Sequence, residues 1–172
     1  MNDAEHRPQD GPGSAFLLAA LGSYAAERFA ERIATLDLTP PQSGLLRAVA
    51  ATPGRSQQSL ARLLGTPPSR LVGLVDSLAE RGLLERRRNP DDRRLHALHL
   101  TAAGERLLRR VTEVGRAHDD AICGNLSAEE RTQLRALLAR IADAHQLTPG
   151  VHPGFRRLGA GGLPAPGERA SS

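Results

Sequence analysis

The chain has 172 residues, 24% of them charged and 40% hydrophobic, a balance that suits one soluble domain with tails. The net charge of +4 gives only a weak pull toward polyanions, and every one of the 23 basic residues is arginine in a chain also rich in Ala, Gly and Pro, so only local clustering of arginine is informative. The lone Cys123 excludes an internal disulfide and a cysteine-based zinc site, no apolar run approaches the roughly 20 residues that span a bilayer, and no basic-then-apolar leader is present. A soluble cytoplasmic protein without a membrane partner is the expectation. Aromatic residues make up 2%, so the core must come from Leu, Ala and Val.

Residues 1–13 are polar, with two Pro and two Gly, and read as a flexible tail. From Ser14 to Asp37 apolar residues recur every three or four positions (Leu18, Leu21, Ala25, Phe29, Ile33, Leu36), which predicts a helix capped by Ser14. Thr39-Pro40-Pro41-Gln42 is a capping box with Pro at the first helical position, and Pro53-Gly54 ends the helix it opens. Ser56 caps a short third helix stopped by Gly65. Thr66 is expected to cap a fourth, about 67–80, with Pro67 at its first position and Gly82 past its end. Two helices across a tight Gly-containing turn form a helix-turn-helix pattern, about 56–81.

A hairpin follows directly, about 83–100. Leu83 to Arg88 is one strand, Asn89-Pro90-Asp91-Asp92 the turn, and Leu95 to Leu100 the return strand, with Leu98 and Leu100 on one face. Arg86, Arg87, Arg88, Arg93 and Arg94 make it a cationic finger suited to a phosphate backbone. Thr101 caps a long helix (about 102–123) that Gly124-Asn125 breaks. Ser127 and Glu130 form a capping box for the last (about 128–146), and residues 147–172, rich in Gly, Pro and Arg, are expected to be a disordered tail. The fold class is mainly α with a small β-hairpin. The first helix and the last two carry apolar stripes that one subunit does not cover, which suggests helices intertwined between two chains.

The segments LTPPQSGLLRAV (38–49), QQSLARLLG (57–65), LVDSLAERGLLERR (74–87) and NPDDRRLHALHLTAAG (89–104) together resemble the MarR family of winged helix-turn-helix transcriptional regulators, from about Phe16 to Ile141. The resemblance implies one domain over 14–146, in which the terminal helices form the body of a homodimer. It also implies a recognition helix in the major groove of double-stranded, pseudo-palindromic operator DNA, and a wing in the adjacent minor groove. Asp92-Arg93-Arg94 matches the family's Asp-x-Arg at the wing tip. There Arg94 would enter the minor groove, with Asp92 holding its guanidinium by a charge-assisted hydrogen bond. Arg88, at the end of the first strand, and Arg93, between that pair, are further DNA-binding candidates.

In the recognition helix Val72 and Gly73 stand where relatives carry more polar residues. Ser69 and Arg70 remain to read base edges, and Arg70 serves equally well as a phosphate contact. The apolar residues could touch thymine methyls instead. Ser56 and Gln57 offer helix N-terminal N–H groups to phosphate. Relatives respond to small anionic or aromatic effectors, and Tyr24, Arg28, Arg47 and His118 are the polar candidates to bind one.

No metal or cofactor is expected: His96 and His99 point to opposite faces of a strand, and no carboxylate is poised beside His118 or His145. The sequence also lacks a nucleophile–base pair and a phosphate-cradling Gly loop, so no enzyme is expected. The reading is a homodimeric repressor released by a small ligand. The alternative is a winged-helix protein-interaction module that does not bind DNA.

Overall fold

A computed structural model describes residues 11–88, 96–152 and 155, the side chains of Arg88 and His96 excepted. Its elements, in order, are α1 (Ser14–Ala34), α2 (Pro40–Ala51), α3 (Gln57–Leu64), α4 (Pro68–Glu80), β1 (Leu84–Arg88), β2 (His96–Leu100), α5 (Ala102–Cys123) and α6 (Ala128–Ala144).

Local chemistry sets the boundaries. At the start of α2, Thr39 Oγ1 accepts from the Gln42 N–H, and Gln42 Oε1 accepts in return from the Thr39 N–H at 2.9 Å. Gln42 has a second task, since its Nε2 donates to Ser77 Oγ of α4 at 3.0 Å and pins the two helices together. The ends of α3 and α4 are alike. Gly65 and Gly82 adopt positive φ (63° and 66°), and each is followed by an N–H that reaches back five residues: Thr66 to the Ala61 carbonyl and Leu83 to the Leu78 carbonyl. This is the Schellman termination, which only glycine enters without steric penalty.

Two expected caps are displaced. Gly13, not Ser14, is the N-cap of α1, and Ser14 is its first helical residue. Thr66 does not cap α4. That position falls to Pro67 (φ −57°, ψ 137°), because a residue preceding a proline, here Pro68, is disfavoured from helical geometry. Thr66 instead completes the turn that ends α3, and its buried hydroxyl has no partner among the described residues.

The strands pair antiparallel with Leu84 opposite Leu100 and Arg86 opposite Leu98. Leu98 is 1% exposed and Leu100 packs against the core, on the shared face that alternation requires. A further bridge joins Ser56 to Ala97, with Leu98 N–H donating to the Arg55 carbonyl at 3.0 Å. The residues that lead into α3 therefore lie along β2 and fix the helix-turn-helix to the hairpin. The core gathers Leu45, Leu46 and Val49 of α2, Leu60 and Leu64 of α3, Leu71, Val75 and Leu78 of α4, Leu84, Leu98, and Ile33 and Val111 from α1 and α5. Fully burying a leucine contributes about 1.5–3 kcal/mol, so this cluster is carried mainly by aliphatic side chains, with Phe29 of α1 packed at its edge.

The terminal helices are different. α6 has no buried residue, and Leu137, Leu138 and Ile141 are exposed on it, as are Phe16, Leu17, Leu18 and Leu21 on α1. The chain beyond α6 also departs from expectation, because the reading of 147–172 as disordered does not describe its first part. Val151 packs against the core, and the Phe155 ring is 5% exposed within it. The ring occupies the space left by Gly44 of α2, where a Cβ would fall 2.6 Å from two ring atoms. An apolar ring finds burial there despite the Gly/Pro composition around it.

Candidate nucleic-acid interface

α4 exposes Ser69, Arg70, Val72 and Gly73, while Leu71, Val75 and Leu78 turn inward. Helical spacing puts Ser69, Val72, Gly73 and Asp76 along one side. Asp76 is ion-paired with Arg86, which leaves β1 on the same face as Leu84. That pair ties the recognition-type helix to the hairpin and offsets the Asp76 carboxylate, leaving Glu80 at the far end of the same side. Arg87 is also engaged, with its Nε donating to Glu85 Oε1 at 2.9 Å. Both pairs are substantially exposed, so each is worth about 0–1 kcal/mol, and their effect is to direct side chains more than to stabilise.

The base of the hairpin is locked to α5. Thr101 Oγ1 donates to the Gly82 carbonyl at 2.6 Å and accepts from the Gly104 N–H at 3.0 Å, while the Thr101 N–H donates to the Leu83 carbonyl. Gly104 is required here, since a Cβ on it would lie 2.1 Å from the Leu83 oxygen. One threonine thus caps the helix and anchors the strand, so the hairpin projects from a rigid root.

Ser56 caps α3, its Oγ accepting from the Ser59 N–H at 3.2 Å, which occupies the hydroxyl. Gln57 begins the helix beside it and is half-buried. The Asp92, Arg93 and Arg94 expectations lie outside the described residues, as does the side chain of Arg88.

The four effector candidates do not converge on one cavity. Tyr24 and Arg28 face each other on α1, with the guanidinium carbon 5.7 Å from the ring centroid, and Arg28 pairs with Glu31 at 2.6 Å. His118 meets Phe29 edge to face at 5.5 Å. Its Nδ1 is buried without a partner among the described residues, and burial, aided by the Arg32 charge, holds its pKa below the ordinary value. Arg47 instead lines an open cleft of about 670 Å³ with Phe29, Val111, Arg116, Asp119, Asp120 and Arg135. Phe29 joins the two groups. The sequence reading assigned it to the apolar stripe, and Arg116 and Arg135 carried no signal beyond being charged residues on helices.

Known proteins share this arrangement. The profile of the MarR family matches residues 36–95, which run from just past α1 through the helix-turn-helix and β1 and stop just short of β2. A Thauera aromatica protein provisionally named a transcriptional regulatory protein for the hcr operon is 37% identical over 130 residues, covering 74% of this chain and 78% of its own. The chain belongs to the MarR family. The transcriptional regulator HosA of Escherichia coli O111:H- is 32% identical, covering 63% of this chain and 80% of its own. The transcriptional repressor CouR, solved bound to a 23-mer DNA duplex, superposes with a TM-score of 0.68 at 34% identity, covering 76% of this chain and 92% of its own. The protein is accordingly a DNA-binding transcriptional regulator with a winged helix-turn-helix, in a family of regulators and not of enzymes. None of its described helices is long and apolar enough to cross a membrane.

Proposed function

We propose that this MarR-family protein is a homodimeric repressor that acts in the cytoplasm, grips a pseudo-palindromic operator and is released by a small anionic effector. The observation that carries the reading is the side of the molecule on which α4 and the hairpin meet, joined by Arg86 and Asp76. Its exposed helix face and its cationic strand point the same way. α4 enters the major groove with Ser69 and Arg70 foremost. The wing follows the backbone into the minor groove with Arg88, Asp92, Arg93 and Arg94, and Ser56 and Gln57 present helix N-terminal N–H groups to a phosphate.

Exposed apolar residues on both α1 and α6 support the dimer, since a second copy covers both stripes at once. The domain then spans 14–146, with Phe155 as a further anchor. The cleft where Arg47, Arg116 and Arg135 outnumber Asp119 and Asp120, with Asp120 already paired to Arg131 and Phe29 as the apolar wall, supports an anionic effector bound between the dimer body and the reading domain. His118 meets that wall edge to face and tunes it, while Tyr24 and Arg28 stand farther along α1 as further candidates. Release then follows from the effector's preference for a dimer whose wings are misplaced, and is no larger than that preference.

Titration of full-length protein onto duplex DNA enriched from a random library, at several salt concentrations, tests the reading. Binding weakens steeply with salt, and Arg94→Ala weakens it further. Arg70→Ala either relaxes preference at one base pair, as a reader, or weakens all sequences alike, as a phosphate contact. An Arg94→Ala protein that binds as wild type overturns the wing assignment. The exposed Val72 favours a second reading, a protein-docking helix, and salt-independent binding with no enriched duplex would support it.

A further inference from the structure

Val72 and Gly73 sit side by side near the middle of α4, and the fold has no use for either. Val72 is 41% exposed, outside the core that Leu71 and Val75 enter on either side of it. A β-branched residue lowers helix propensity and gains nothing here in packing. Gly73 is a stronger anomaly, because an interior helical glycine costs up to about 1 kcal/mol relative to alanine. A close neighbour explains Gly104 and Gly44, whereas Gly22 of α1 and Gly115 of α5 share with Gly73 an open surround; Gly73 alone of these three lies on the helix that faces DNA in the proposed function. Around Gly73 nothing lies within 4 Å of the position a Cβ would take. Nor does its conformation require glycine, since its φ is negative and helical. Whatever approaches Gly73 comes from outside the described residues.

We propose that Val72 is a specificity-determining residue that reads the 5-methyl group of a thymine in each half-site, and that Gly73 allows the DNA to come close enough for it to do so. The inference rests on the reading of α4 as the groove helix. The thymine methyl is the one apolar feature that base pairs present in the major groove, and apolar side chains are its natural contacts. Ser69, one turn before, and Asp76, one turn after, bracket Val72 on the same side of the helix. Asp76 is ion-paired with Arg86, so the middle of this strip presents little net repulsion to a polyanion, and Glu80 stands two turns beyond Val72 at the end of the helix. The helix face is therefore short of hydrogen-bond donors and adapted to contact by shape. Val72 would discriminate thymine from cytosine and uracil by its methyl group, while Arg70 on the neighbouring flank supplies charge.

The test uses full-length protein and a duplex enriched from a random library by the wild type. Each thymidine of that duplex is replaced in turn by deoxyuridine, which removes only the methyl. One replacement per half-site weakens wild-type binding about four-fold, the worth of one buried methyl, and both together about fifteen-fold. Val72→Ala binds the thymidine duplex more weakly and is indifferent to that same replacement. Its exposed position leaves the fold intact, which circular dichroism verifies. Gly73→Ala melts at a higher temperature than wild type yet binds DNA more weakly.

A wild type indifferent to every deoxyuridine overturns the proposal, as does a Val72→Ala protein that keeps the full deoxyuridine penalty. Gly73→Ala binding as tightly as wild type overturns the role given to Gly73. If no duplex is enriched at all, the placement of α4 in the groove falls together with the proposal, whereas an enriched but methyl-blind duplex removes the proposal alone.

Discussion

Replacing Gly104 by alanine isolates the joint between wing and dimer body. The new Cβ would lie 2.1 Å from the Leu83 carbonyl oxygen, and ordinary contact begins near 3.4 Å, so strand root and helix must part by roughly 1.3 Å. The obstacle is backbone and cannot rotate away. The same oxygen accepts from the Thr101 N–H at 3.2 Å, so a retreat also strains the anchor that holds the hairpin. Overpacking of this kind costs about 1–3 kcal/mol and a weakened hydrogen bond about 1 more, against a helix-propensity gain below about 1 kcal/mol. The net is a destabilisation of about 2 kcal/mol, or a fall in melting temperature of roughly 4–8 °C for a chain of this size.

Gly115→Ala, in the same helix with open space around the Cβ, is the control and gains about 0.5–1 kcal/mol. Thermal unfolding followed by circular dichroism, at one fixed protein concentration, compares the three proteins. If Gly104→Ala melts at or above the wild-type temperature, the close approach of α5 to the hairpin root is wrong.

Phe155→Ala empties the space beside Gly44. It costs on the order of 2 kcal/mol, below the 3–5 typical of a ring in a closed core, because the segment can detach instead of leaving a cavity. Urea unfolding measures it, and an unchanged midpoint would show that the ring is not buried in solution. His118 makes stability depend on pH. Its folded pKa lies below the ordinary 6.5, so its contribution is complete above about pH 6.5 and is lost as the pH falls through the folded value. Urea midpoints at pH 7.5, 6.5 and 5.5 should decline less in His118→Asn than in wild type, and equal declines would assign the effect elsewhere. Ile141→Glu charges the exposed face of α6 and should shift sedimentation from dimer to monomer; a wild type that sediments as a monomer would remove the proposed interface.

The helices were legible because their ends are written in local chemistry. Thr39 with Gln42 and Ser127 with Glu130 announce starts, and Gly65 and Gly82 announce stops, whatever the tertiary context. Thr66 misled because threonine is a good cap and also a tolerable turn residue; only the constraint that Pro68 places on Pro67 decides between them. The Ser56–Ala97 bridge involves too few residues to show a period. Phe155 was hidden by its neighbours, although a phenylalanine in a chain with 2% aromatic content was itself a hint.

For the site, the arginine-rich hairpin was visible, but not that Arg86 and Arg87 are occupied by Asp76 and Glu85, which needs side-chain geometry. The effector candidates show the same limit. Tyr24 and Arg28 are one helical turn apart and meet as spacing requires, yet the cleft at Arg47 is built from four helices that no single stretch of sequence brings together.

Hydroxyl-radical footprinting of the full-length protein on an enriched duplex tests the central claim most directly. Two helices read in adjacent major grooves by a two-fold dimer predict two protected windows about 10 base pairs apart, centre to centre, each flanked by minor-groove protection that disappears in Arg94→Ala. A single window, or flanking protection that survives the loss of Arg94, would contradict it.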